Sequence, residues 1–522
     1  MQSFLHKHAA DVIGILSGFD RLVFRGTVRA LSYVEGMRMY LSRQNVLLKD
    51  FESFVKRVSR EVKDNALALA ERLGRPHIYL SSPRVSKEAV AKEVLARDPV
   101  ETGLVCALSC VELSRTFAIV KNKETKKLDL VARPRPCLHV YHYSIHPRFG
   151  FMYTRLSTWF PFVVQVGING REWLSRQMDQ AGLGYERRDN TFAWVEDFER
   201  AQRLLDRQKT LRWPYHLNAI VRQIFPSQAQ LDDSHPLPYY FSTYQSEWAT
   251  DVSFRDQTLL DRLYPRLIHH GMLTFKSPDV LRFLGHRLPQ HGGVHGHFQR
   301  EVTSDIKHRQ EGLRIKHRVG HNSIKAYNKG NNLRVETTIN RPQDFKVYRT
   351  REGQEDEPKQ WLPMRQGVAD LYRRAQVSQA SNRRYLRALA KVDHPTTTLA
   401  ELVDGVCHPT TWNGRRVRAF QPWSPTDLAL LQAINRGEYL LNGFRNRDLR
   451  AHLYPTPSDS PHELRRLAAK VTRQLRLLRA HGLIAKVPKT HRYTVTDKGR
   501  AIAAALLAAR RASTESLIQQ AA

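Results

Sequence analysis

Asp20, Asp251, Asp305 and Glu336 are carboxylates in positions that phosphodiester chemistry can use. Sets of such residues hold Mg2+ for cleavage or strand transfer, the metal activating the nucleophile and steadying the leaving oxygen. Asp20 opens the strand-like run DRLVFRGTV. Asp251 follows Glu247 by four residues in SEWATDVSFRD, which places both on one face if that segment is helical. Asp305 and Glu336 fall inside a strongly basic stretch, where an acidic residue needs a reason. The competing reading of each is an ion-pair partner among many arginines. No spacing among the four decides between the two.

Other residue sets point less clearly to chemistry. His139 and His142 in CLHVYHYSI are three apart, so a strand turns them to opposite faces. His291, His295 and His297 occupy HGGVHGH, a Gly-rich loop with no cysteine or carboxylate close by to complete a metal site. Cys106 and Cys110, four apart in a strand-like run, face one side and have no base beside them. The aromatic stretch from Phe149 to Phe162, with Arg148 and Arg155 interleaved, reads as packed strands or as a base-stacking platform.

Cations carry the stronger pattern. Residues 300–349 hold twelve Lys/Arg against five Asp/Glu. Lys307, Arg309, Arg314, Lys316, Arg318, Lys325 and Lys329 alternate there with apolar positions, and Tyr327 is available for stacking. A sheet with one cationic face follows a nucleic-acid backbone; the plainer alternative is a solvated face. A second set, Arg465, Arg466, Lys470, Arg473 and Arg476, lies on a helix predicted to run to His481, whose buried stripe is Leu464, Leu467, Ala468, Val471, Leu475 and Leu478. Lys486, Lys489 and Arg492 flank the short strands that follow.

The elements that must position these residues are read from periodicity and turn chemistry. The result is an α+β multidomain chain. Residues 1–75 form a helical N-terminal region with one strand, in which MQSFLHKHAADVIGILSGFDR is an amphipathic helix. Residues 76–196 form an antiparallel β-rich α+β domain and 197–290 a helical region. A basic β-meander with an arginine-rich helix spans 291–395. A linker (396–423), a winged helix-turn-helix (424–513) and a tail (514–522) complete the chain.

Composition sets the class of partner. The 522 residues carry 83 Lys+Arg against 50 Asp+Glu, a net charge of +33, with 41% hydrophobic residues. That is enough apolar material for sizeable cores, and a charge excess that a polyanion would screen. No run approaches ~18 apolar residues, so no membrane span or membrane partner is expected. Four cysteines without paired spacing exclude a disulfide scaffold and suit a reducing cytoplasm.

Three resemblances add to this. HGLIAKVPKTHRYTVTDKGRAIAAAL resembles the C-terminal half of winged helix-turn-helix domains in bacterial transcription regulators. It implies a cationic helix in the major groove of duplex DNA, a wing on phosphates, and possible oligomerisation through this domain. Ile324 to Lys329, followed by Leu333 to Glu336, resembles a strand pair of rolling-circle replication initiators, although His139 and His142 lack that family's His-apolar-His spacing. FDRLVFRGTVRALSYVEGM, FGFMYTRLSTWFPF, ATDVSFRD and LRVETTINRPQDFKVYR resemble a family of large basic bacterial proteins whose dispersed, many-copy occurrence is like that of mobile elements. The expectation is a nucleic-acid-binding protein. It would grip RNA or single-stranded DNA with the α+β body and duplex DNA with the C-terminal domain. A metal-dependent nuclease or transposase, or a transcription regulator, is the alternative.

Overall fold

The computed structural model describes residues 1–511 apart from 233–234, 287–300, 310–311, 352, 355, 391–398, 437–438, 440–442, 456–459 and 489. The protein is α+β and folds as two compact units. Gly14–Asp251 with Thr338–Gln379 form one, the sheet unit. Met1–Ile13, Val252–Thr337 and Ala380–Ala522 form the other, the C-terminal unit. Among the described residues no helix is long and apolar enough to cross a membrane.

The strands of the sheet unit are β1 (Val12–Val28), β2 (His77–Leu80), β3 (Gly103–Lys121), β4 (Leu128–His146), β5 (Gly150–Ser157), β6 (Val164–Asn169), β7 (Tyr185–Arg188), β8 (Thr191–Val195) and β9 (Tyr239–Phe254). Seven of them lie in the order β9-β1-β6-β5-β4-β3-β2, and β7 pairs with β8. Neighbours from β1 through β3 run antiparallel, whereas β2 joins β3 in parallel through the helix Lys87–Arg97. The sheet is therefore mixed. One face buries Leu22, Phe24, Met152, Val166 and Ile168 against the helix Phe51–Arg72, whose Val55, Val62 and Ala66 recur at helical spacing. The other face packs Cys106, Leu108 and Cys110 against Ala91 and Val94.

Two helical expectations give way to strand. Only Gln2–Lys7 is helical at the N-terminus, and β1 begins at Val12. β-Branched Val12, Ile13 and Ile15 with two glycines favour an extended chain over a helix. Likewise Tyr239–Phe254 is a strand inside the expected helical region, because its aromatic and β-branched residues outweigh the four-residue spacing of its acids.

The C-terminal unit contains the expected meander: β10 (Val302–Arg309), β11 (Gly312–Val319), β12 (Asn322–Lys329) and β13 (Asn332–Ile339), in that order. One of its faces packs Ile315, His317 and Val319. His317 hydrogen-bonds Ser304 Oγ and Tyr385 Oη, and its ring adjoins Phe275 and Phe283. Burial pushes its pKa down to about 3, so it is a neutral core histidine.

The stretch expected as a linker instead carries the helix Leu399–Cys407 and a small hairpin, Thr410–Trp412 with Arg415–Val417. Val406, Val417 and Phe420 are buried in the same core as Leu430, Leu431, Val471, Leu478 and Ile502. Pro and Thr there mark turns between packed elements. That core joins the helices Pro425–Ile434, Asn446–Leu453, Pro461–Ala480 and Asp497–Arg511 with an antiparallel pair, Ile484–Lys486 and Tyr493–Val495. Ser424 accepts from Asp427 N, capping the first of these helices as its Ser-Pro start predicts.

Candidate nucleic-acid interface and carboxylate cleft

Pairing register collects the meander cations. Lys307 lies opposite Arg314, Lys316 opposite Lys325 and Arg318 opposite Ser323, while Arg314 also faces Tyr327. Cross-strand partners share a face, so Lys307, Arg314, Lys316, Arg318 and Lys325 project from one side of β10, β11 and β12. Arg309 and Lys329 stand at the ends of β10 and β12. Like charges directly opposite one another are destabilising. The Lys316 ammonium is held below its ordinary pKa, first by burial and then by Arg318, Lys325 and Arg314.

Asp305 and Glu336 have partners within this unit. Asp305 pairs with Lys307 at 3.2 Å. Glu336, 1% exposed, takes Lys325 Nζ at 2.6 Å and accepts the Tyr327 hydroxyl at 3.0 Å. Burial alone would raise the Glu336 carboxyl, but Lys325 holds it below its usual range. Tyr327 is buried, so its ring is not presented for stacking. Each of these two acids stands in an ion pair with a lysine of the meander.

In the sheet unit a cleft of about 480 Å³ is lined by Asp20, Glu247, Arg21, Glu88, Lys92 and Arg187, among others. Asn169 positions one side of it. Its carbonyl oxygen caps the helix Gly170–Gln180 by accepting from Arg171 N and Glu172 N. Its amide donates to Asn190 (2.8 Å), and the Asn190 amide donates to Asp20 Oδ1 (2.9 Å). On the floor, Gly167 leaves room for Tyr153: a Cβ there would sit 1.9 Å from the Tyr153 ring. Arg171 is fully buried, bonds Asp251 Oδ2 at 2.7 Å and lies 3.7 Å from Asp20. Asp20 and Asp251 are thus brought together around one guanidinium, with Asp251 as its main counter-ion.

Glu247 is the more suitable companion for Asp20. Carboxylate oxygens of the two lie within 4.8 Å of each other. Two carboxylates at that separation can share one hard divalent cation such as Mg2+, with water completing the shell. The neighbouring Arg21 guanidinium is partly buried, which lowers its pKa, but Tyr153, Glu247 and Glu88 outweigh that and raise it overall. Asn190 and Arg171 carry no sequence signal that links them to Asp20, since contact between them exists only after the strands are paired.

The remaining candidates are structural or fall outside the described residues. His139 and His142 do face opposite sides of β4, bonded to Cys137 O and Ala66 O. Burial lowers both, His139 to about 4. Cys106 and Cys110 are buried, and burial pushes the Cys106 thiol up to about 11. Phe149, Phe160 and Phe162 belong to the core. In the arginine-rich helix Leu371–Leu389, Arg374 is spent on Thr243 O and Ser246 Oγ, and Arg384 on Phe283 O. His291, His295, His297 and Lys489 lie outside the described residues. On Pro461–Ala480, Arg465, Arg466, Lys470 and Arg473 are exposed and Arg476 is half-buried. Val471, Leu475, Leu477 and Leu478 form the buried side, while Leu464 is exposed at the first turn. Lys486 is exposed and Arg492 half-buried.

No protein-family model, curated protein or solved structure matches the chain.

Proposed function

We propose that the protein binds nucleic acid, using the cationic face of β10–β12 on RNA or single-stranded DNA and the C-terminal helices on duplex DNA. The observation that carries this reading is the set of five same-face cations, Lys307, Arg314, Lys316, Arg318 and Lys325. In the free protein burial and the charges of Arg318, Lys325 and Arg314 oppose the Lys316 ammonium, although Glu336 already pairs with Lys325. A phosphate backbone removes that repulsion and releases counterions on binding. Among the described residues the C-terminal order supports a winged helix-turn-helix: three helices, an antiparallel strand pair, then a closing helix. In that reading Pro461–Ala480 enters the major groove with Arg465, Arg466, Lys470, Arg473 and Arg476. Lys486 and Arg492 approach flanking phosphates. A mobile-element context remains an expectation from resemblance.

The test is binding of the full chain to single-stranded RNA, single-stranded DNA and duplex DNA over a salt series. Affinity should fall steeply with salt, and replacing Arg473 and Arg476 by Ala should weaken duplex binding more than single-strand binding. Salt-independent binding would overturn the reading.

A second reading, metal-dependent phosphodiester cleavage, is favoured by the approach of Asp20 and Glu247 within 4.8 Å in a cleft. Here Asp20 and Glu247 hold Mg2+, while Arg21 and Lys92 steady phosphate charge. Mg2+-dependent nicking that is lost in Glu247→Gln, with nucleic-acid binding retained, would establish it. Absence of cleavage with any divalent metal would dismiss it.

A further inference from the structure

A second cleft in the sheet unit, of about 790 Å³, joins arginines to exposed tyrosines. Its lining includes Arg25 from β1, Arg29 just beyond it, Tyr240 and Tyr244 from β9, and Arg349 and Arg365. Tyr240, Ser242 and Tyr244 alternate along a strand and so share its face. The segment that walls the cleft is pinned along β9 by Thr243 N donating to Gln366 O at 2.8 Å.

Three features point to a ligand of one chemistry. First, Tyr240 and Tyr244 are 40% and 49% exposed, so both rings are open to solvent on the cleft side of β9. The Arg29 guanidinium lies 3.6 Å over the Tyr240 ring, which leaves a flat cation–π surface for a further ring to join. Second, Asp370 is the only carboxylate lining the cleft among the described residues, and it is engaged by Arg365 and Arg373. The cleft therefore has a cationic excess, and Arg25 has a buried Nε that makes no hydrogen bond. Third, the hairpin Lys346–Arg349 with Gln360–Pro363, which supplies Arg349, exposes Tyr348 and Trp361 as a cross-strand ring pair with centroids 5.7 Å apart. Exposed aromatic faces beside guanidinium groups suit the bases and phosphates of a nucleic-acid strand. A duplex hides its base faces, and a single base would engage only one of the two exposed tyrosines.

We infer that this cleft is a binding site for single-stranded nucleic acid, with bases stacking on Tyr240 and Tyr244 and phosphates held by Arg25 and Arg29. It rests on the nucleic-acid reading but uses none of the meander cations.

The experiment is photo-crosslinking of the full chain to short single strands carrying 5-iodouracil, as RNA and as DNA, followed by peptide mapping and affinity measurement. Crosslinks should map to the β9 segment and to the hairpin. Replacing Tyr240 and Tyr244 by Ala should cost roughly five- to a hundredfold in affinity per stacked base, while the Phe replacements stay near wild type. RNA-only or DNA-only crosslinking would support the site and identify its sugar. Strands that bind but crosslink only within 302–329 or 461–480, with the Ala variants unimpaired, would overturn this site and leave the general reading standing. Loss of all nucleic-acid binding by the wild-type chain would overturn both.

Discussion

Lys316 is half-buried between Arg314 and Arg318 on its own strand and faces Lys325 across the ladder, so its charge is a cost to the free protein. Lys316→Ala should weaken single-strand binding and lower the salt slope by about 0.7, without lowering the urea midpoint. A residue kept for packing would show the opposite pattern. Asp251 behaves differently. Removing it leaves Arg171 buried beside a weaker partner, so Asp251→Ala should destabilise the protein by about 3–5 kcal/mol in urea unfolding. Glu336 adds a pH dependence. Its folded pKa is depressed by Lys325, so its stabilising contribution is present above the unfolded value and is lost as pH falls. The stability gap between wild type and Glu336→Gln should be full near neutrality and shrink below about pH 4.3.

At the scale of elements, Leu475 and Gly167 show what holds the two candidate surfaces in place. Leu475→Ala should cost about 2–5 kcal/mol, because Leu475 anchors the cationic helix to its core. Gly167→Ala drives a methyl into the Tyr153 ring and should cost about 1–3 kcal/mol, read as a lower melting temperature. The meander is legible in sequence because turn residues act locally. β9 is not: the spacing of Glu247 and Asp251 suits a helix and a strand alike, and only the aromatic and β-branched content of the segment decides for strand. Tyr240 and Tyr244 share a face only on a strand, so their pairing is not legible in a segment read as helix. Asp20 was legible as a carboxylate beside a strand. Its partners Asn190, Arg171 and Glu247 were not, since they lie far along the chain and only sheet pairing brings them near.

For the whole molecule, +33 becomes a statement about placement. Part of the charge is spent internally, on Arg171, Arg374 and Arg384. The rest leaves a cationic strand face and an arginine-lined helix in one unit, and an arginine–tyrosine cleft in the other. The most direct test measures single-strand affinity by fluorescence anisotropy from low to moderate salt, for wild type and for the variant with Lys307, Arg314, Lys316 and Arg318 replaced by Ala. The wild-type affinity should fall steeply, and the variant should bind more weakly with a slope shallower by about 0.7 per phosphate contact removed. A flat wild-type profile, or an unchanged slope in the variant, would contradict the account.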